Sequence, residues 1–173
     1  MSDVVEGLRD RYWSLVVNAC EWRAYGVSDP ELMAQRVFAT IDLRRHAGLD
    51  AVFRAVDRSV AEAYAQNASG RSMLSLLQGG MITARTTLPP ALQALSSLRE
   101  GHRRVLQLAY WDELEPAEIC EVLGVDLVKV FQRLADAETR FRARLDRLEP
   151  DRAVLELAPV LLAVKPGDRR RAG

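Results

Sequence analysis

One stretch constrains this chain more than any other: Pro116-Ala117-Glu118-Ile119-Cys120-Glu121-Val122-Leu123-Gly124-Val125-Asp126-Leu127-Val128-Lys129-Val130-Phe131-Gln132-Arg133-Leu134. Pro116 suits the first turn of a helix, where a missing N–H costs nothing. Gly124 ends that helix, because left-handed backbone is cheapest at glycine. Asp126 then offers a carboxylate to cap the next helix, and Val125 between them is predicted to enter the core. Val130 and Leu134, one turn apart, are predicted to face Ile119 and Leu123. Helices joined in this way cross steeply over a tight turn. The geometry serves a purely structural hairpin, or a DNA reader whose second helix enters the major groove with its N-terminal residues toward the base edges.

The rest of the chain supports an all-α fold, since no alternation of apolar and polar residues persists anywhere. Val4, Val5, Leu8, Tyr12, Leu15, Val16, Ala19 and Cys20 recur at helical spacing. Gly26 and Ser28-Asp29-Pro30 stop that helix and start another, with Ser28 or Asp29 as its cap. A third helix is predicted from about Asp50 to Gln66. Residues 67–90 contain no acid and cluster Asn, Ser, Gly, Thr and Pro, with Gly79-Gly80 and Pro89-Pro90 as punctuation. They read as a flexible linker, with one short helix at Met73–Leu77. Two small helical domains follow, residues 1–66 and residues 91–149, the second with helices predicted at Ala91–Leu95, Glu100–Tyr110, Pro116–Gly124 and Leu127–Leu148. Residues 150–173 form a C-terminal extension, with an apolar segment around Val154–Leu162 and a basic tail from Asp168.

The 24 basic and 24 acidic side chains balance, so the chain has no basic excess to neutralise phosphates. Residues 1–66 hold 8 basic and 10 acidic side chains, and residues 92–149 hold 9 and 11, so a nucleic-acid contact must rest on local placement of charge. Cys20 and Cys120 stand 100 residues apart without metal-ligand spacing, and read as small buried apolar residues. There is no glycine-rich phosphate loop and no His/Cys/acid cluster, and neither His46 nor His102 has an evident partner. An enzyme, a metal site and a cofactor are therefore not expected. With no leader-like segment and no long apolar run, a cytoplasmic protein without membrane contact is expected.

The run Leu98-Arg99-Glu100-Gly101-His102-Arg103-Arg104-Val105-Leu106-Gln107-Leu108-Ala109-Tyr110-Trp111 precedes the hairpin. Together with Leu114, Glu118-Ile119 and Leu123-Gly124-Val125, it resembles region 4 of a bacterial extracytoplasmic-function sigma factor of the sigma-70 family, over about Leu95–Leu145. Asp29-Pro30-Glu31-Leu32-Met33-Ala34-Gln35-Arg36-Val37-Phe38 is similar, more distantly, to the helix of sigma region 2 that docks on RNA polymerase. Leu49 to Ala63 takes the place of the helix that melts and reads the −10 element. The resemblance implies a transcription factor that binds core RNA polymerase and promoter DNA, held in some cases by an anti-sigma or other regulatory protein. It assigns DNA contacts to Arg103, Arg104, Lys129, Gln132, Arg133 and Arg140, and polymerase contacts to Glu31, Gln35 and Arg36.

The departures bear on function. Arg36 and Leu32 stand where the family commonly has acids. Val52 replaces a Trp, Ser59 an Asn, and Asp57 a small residue. Phe131 stands where a basic residue is expected, and is either an exposed protein contact or core filling. Asp136 and Glu138 replace Arg or Lys, and an acid near phosphates repels. Two readings stay open: a sigma factor that directs transcription initiation, or a degenerate sigma fold that has lost DNA reading and regulates through protein contacts.

Overall fold

The computed structural model describes residues 2–41, 48–66, 88–150 and 156–167. The linker residues 67–87, the short helix predicted within them, His46 and the basic tail lie outside the described residues. The fold is all-α, and no strand occurs among the described residues. The chain divides into two compact units: the first holds the first three helices together with Glu121–Gly124, and the second holds the helices from Pro90 onward apart from those four residues.

In the first unit, α1 (Ser2–Arg23), α2 (Pro30–Thr40) and α3 (Leu49–Gln66) pack against one another. The predicted periodicity explains why. Tyr12, Val16, Ala19 and Cys20 form a buried stripe on α1, and Met33, Ala34, Val37 and Phe38 one on α2. Of the two cap residues the sequence offered for α2, Asp29 is the one used, accepting from the Leu32 N–H at 2.9 Å. Arg23 closes α1 and is itself buried. Its guanidinium lies 4.2 Å from the Trp22 ring centroid and 5.2 Å from that of Phe53, and pairs with Asp57 at 3.8 Å. Tyr64 of α3 donates to the Arg23 carbonyl at 2.9 Å, so the end of α1 and the end of α3 are tied through backbone as well as side chain.

The helices from Pro90 onward are α4 (Pro90–Ser96), α5 (Glu100–Leu106), α6 (Pro116–Leu123), α7 (Leu127–Leu148) and α8 (Leu157–Ala163). Helices α4 and α5 pack on α7. Val130, Ala137, Phe141 and Leu145 make the buried stripe of α7, each removed from water at about 25 cal/mol per Å² of apolar surface. The helix predicted to run regularly to Tyr110 instead widens beyond Leu106. Residues Gln107–Trp111 form a π-helical turn, in which the Asp112 N–H reaches the Gln107 carbonyl at 2.9 Å. The wider turn sets Leu108 and Trp111 fully inside. There the Trp111 indole N–H donates to the Leu161 carbonyl at 2.8 Å, and the Lys165 ammonium donates to the Trp111 carbonyl at 2.6 Å. Part of the C-terminal extension is thus core: α8 packs on the π turn and on α4, burying Leu157, Val160 and Leu161.

Candidate nucleic-acid interface

Helix α6 opens on Pro116, and Glu118 reaches back to accept from the Glu115 N–H at 2.9 Å, one half of a capping box. It stops at Gly124, whose φ of +63° lies in the left-handed region. The Val125 N–H returns to the Cys120 carbonyl at 3.2 Å, and Val125 itself is half-buried. Asp126 caps α7, accepting from the Lys129 backbone N–H at 2.8 Å and pairing with the Lys129 ammonium at 2.8 Å. The Lys129 side-chain bond, followed by its backbone N–H, holds the Asp126 carboxyl below the usual carboxylate range. Ile119 and Val130 are buried, whereas Leu134 is half-buried.

The side chains assigned to DNA divide by exposure. Lys129, Gln132, Arg133 and Arg140 are exposed along α7, and Arg104 of α5 is half-buried. Arg103 is buried at 8% exposure, and its guanidinium donates to the carbonyls of Ser96 at 3.3 Å and Leu98 at 3.2 Å. Burial pulls its pKa below the usual arginine value, and Glu100 opposes that shift. Arg103 therefore stitches the end of α4 to α5, and little of its side chain is left to solvent.

The acids that replace basic residues are both occupied. Arg140 donates through Nε to both Asp136 oxygens at 3.0 Å, and His102, without an evident partner in the sequence, sits 2.8 Å from the same carboxylate. Arg140, with His102 adding to it, holds Asp136 below its ordinary range. Glu138 accepts from the Tyr110 hydroxyl at 2.7 Å. Burial first, and then this bond to Glu138, push the Tyr110 phenol up to about 12. Phe131 is exposed at 53%, which removes the core-filling alternative. Leu127 and Val128 beside it are exposed as well, a feature that periodicity did not single out.

In the first unit, Glu31, Gln35 and Arg36 lie on the exposed face of α2, opposite Met33, Ala34, Val37 and Phe38. On α3, Val52 and Ser59 are buried. The two positions where the resemblance places a Trp and an Asn therefore face the core of the first unit. Among the described residues no cluster of His, Cys, Asp and Glu can hold a metal ion, and no helix is long and apolar enough to cross a membrane.

Residues 90–141 match the family described as Sigma-70, region 4. The matched stretch runs from the first residue of α4 to Phe141 in α7. No curated protein and no solved structure matches the chain. The second unit thus carries a helix-turn-helix similar to sigma-70 region 4, a family of non-enzymatic transcription factors, and the match points to a sigma-factor-like role in transcription.

Proposed function

We propose that this chain is a bacterial, cytoplasmic, sigma-factor-like transcription regulator that binds promoter DNA and core RNA polymerase. One observation carries the reading: the capped start of α7 stands just beyond a glycine-terminated turn, with Lys129, Gln132 and Arg133 exposed on its opening turns. In a helix-turn-helix this is the segment that enters the major groove. Lys129 and Arg133 supply phosphate or base contacts, Gln132 a base-edge contact, and Arg104 and Arg140 further phosphate contacts. The first unit, residues 1–66, docks on the polymerase through Glu31, Gln35 and Arg36, and a linker within residues 67–90 joins it to the reader. An anti-sigma or other regulatory protein is a natural further partner.

The exposed Phe131, within a chain of balanced charge, favours a second reading, a sigma fold that works through protein contacts alone. Purified chain incubated with core RNA polymerase and a promoter library decides between the two. Retention on the polymerase with specific transcripts establishes the first reading, with affinity for DNA falling steeply in salt. Retention without transcripts, and no salt-dependent DNA binding, establishes the second. An E31A/Q35A/R36A variant is expected to lose polymerase retention while keeping its helical circular dichroism.

A further inference from the structure

The opening turns of α7 expose three large apolar side chains: Leu127 at 46%, Val128 at 64% and Phe131 at 53%. Phe131 lies four residues after Leu127 and three after Val128, so the three form one contiguous patch on the helix surface. They are not a misplaced core stripe, because that stripe runs on another face through Val130, Ala137, Phe141 and Leu145. Gln132 and Arg133 follow Phe131 directly and are exposed, and Lys129 at the edge is held by Asp126 at 2.8 Å.

Size and shape decide what such a patch fits. A stable protein interface takes about 800 Å² from each partner, far more than three side chains at one end of a helix supply. A helix with its side chains is about 10–12 Å across, and the major groove is about 12 Å wide. Inside that groove the apolar group displayed on the base edges is the 5-methyl of thymine, while glutamine matches the N6 and N7 of adenine.

We infer that Leu127, Val128 and Phe131 read thymine methyl groups, with Gln132 on a neighbouring adenine, so that the recognised DNA is a run of A·T pairs read by apolar contact. The inference rests on the DNA reading proposed above. It also accounts for a reader with so little net charge: part of its specificity comes from burying methyls instead of from cationic bonds.

The test uses the full chain and a duplex selected from a randomised pool. The selected duplex is remade with deoxyuridine for thymidine, which keeps pairing and phosphate charge and removes only the methyls. The expected result is a site with thymines at its centre, and affinity about fourfold weaker for each contacted methyl removed, the transfer value of one methyl-sized group. F131A and V128A, both at exposed positions, are each expected to bind the thymidine duplex more weakly and to reduce the deoxyuridine effect by about fourfold, the share of one methyl. Equal affinity for both duplexes, with steep salt dependence retained, overturns the methyl reading and leaves DNA binding standing. Absence of salt-dependent binding to any duplex overturns both, and leaves the patch as a protein contact.

Discussion

The Trp111 indole N–H donates to the Leu161 carbonyl across 2.8 Å, joining the π turn to a helix 50 residues further along the chain. Leu161 also accepts from the Val164 N–H, so its carbonyl keeps one partner when the indole is removed. W111F is therefore expected to lose one buried hydrogen bond and to leave a void where the larger ring was. The combined cost is about 2 kcal/mol, read as a lower midpoint in a circular dichroism melt.

Arg103 and Arg133 predict opposite signatures. R103M leaves the Ser96 and Leu98 carbonyls without the guanidinium, and is expected to cost about 1–3 kcal/mol of stability. It is expected to leave the salt dependence of DNA binding unchanged in the folded protein. R133A is expected to leave stability within about 0.5 kcal/mol, because the side chain is exposed. If Arg133 touches a phosphate, the log–log salt slope falls by about 1. Thermal melts and fluorescence-anisotropy titrations at several salt concentrations check both.

Tyr110 has its phenol pushed up to about 12 by burial and by Glu138. In the unfolded chain it titrates near 10. The folded state thus favours the protonated phenol. Its contribution to stability is fully present below about pH 10, and is lost as pH rises from there through the folded value near 12. Ultraviolet titration should show the late ionisation of the Tyr110 phenol, and Y110F should remove that contribution.

Much of this architecture was legible in the sequence because it depends on local chemistry. Pro116 and Gly124 set the start and stop of the first hairpin helix by backbone preference, Asp126 caps the second through a carboxylate three residues from its donor, and α7 spans Leu127–Leu148 as its periodicity predicts. What stayed hidden depended on distant partners. The bonds of Arg103 reach to the preceding helix, so an arginine in an Arg-Arg pair looked like a phosphate contact. His102 and Asp136 are 34 positions apart, and no spacing rule joins them. The π turn is equally opaque, since Gln107-Leu108-Ala109-Tyr110-Trp111 has ordinary helical composition, and only the carbonyl on α8 explains why Trp111 turns in.

Gly124 gives the simplest prediction. A Cβ there would meet nothing within 4 Å, so the cost of G124A comes from the backbone alone. A non-glycine residue held at φ +63° loses about 1–2 kcal/mol, and asparagine at the same position should lose less. Urea denaturation of the variants measures the difference.

The π turn also fixes the phase of the helix that carries it. Each residue of an α-helix advances the side chains by about 100°, and a π turn holds one residue more than the α turn it replaces. Wound as uninterrupted α-helix with all its residues kept, Glu100–Trp111 would have better local geometry, yet would swing the indole about a quarter turn off the Leu161 carbonyl, and only removing one residue, such as Ala109, would bring it back into phase. The second unit has thus accepted one residue of slack in its spine so that its largest side chain points at its C-terminal helix.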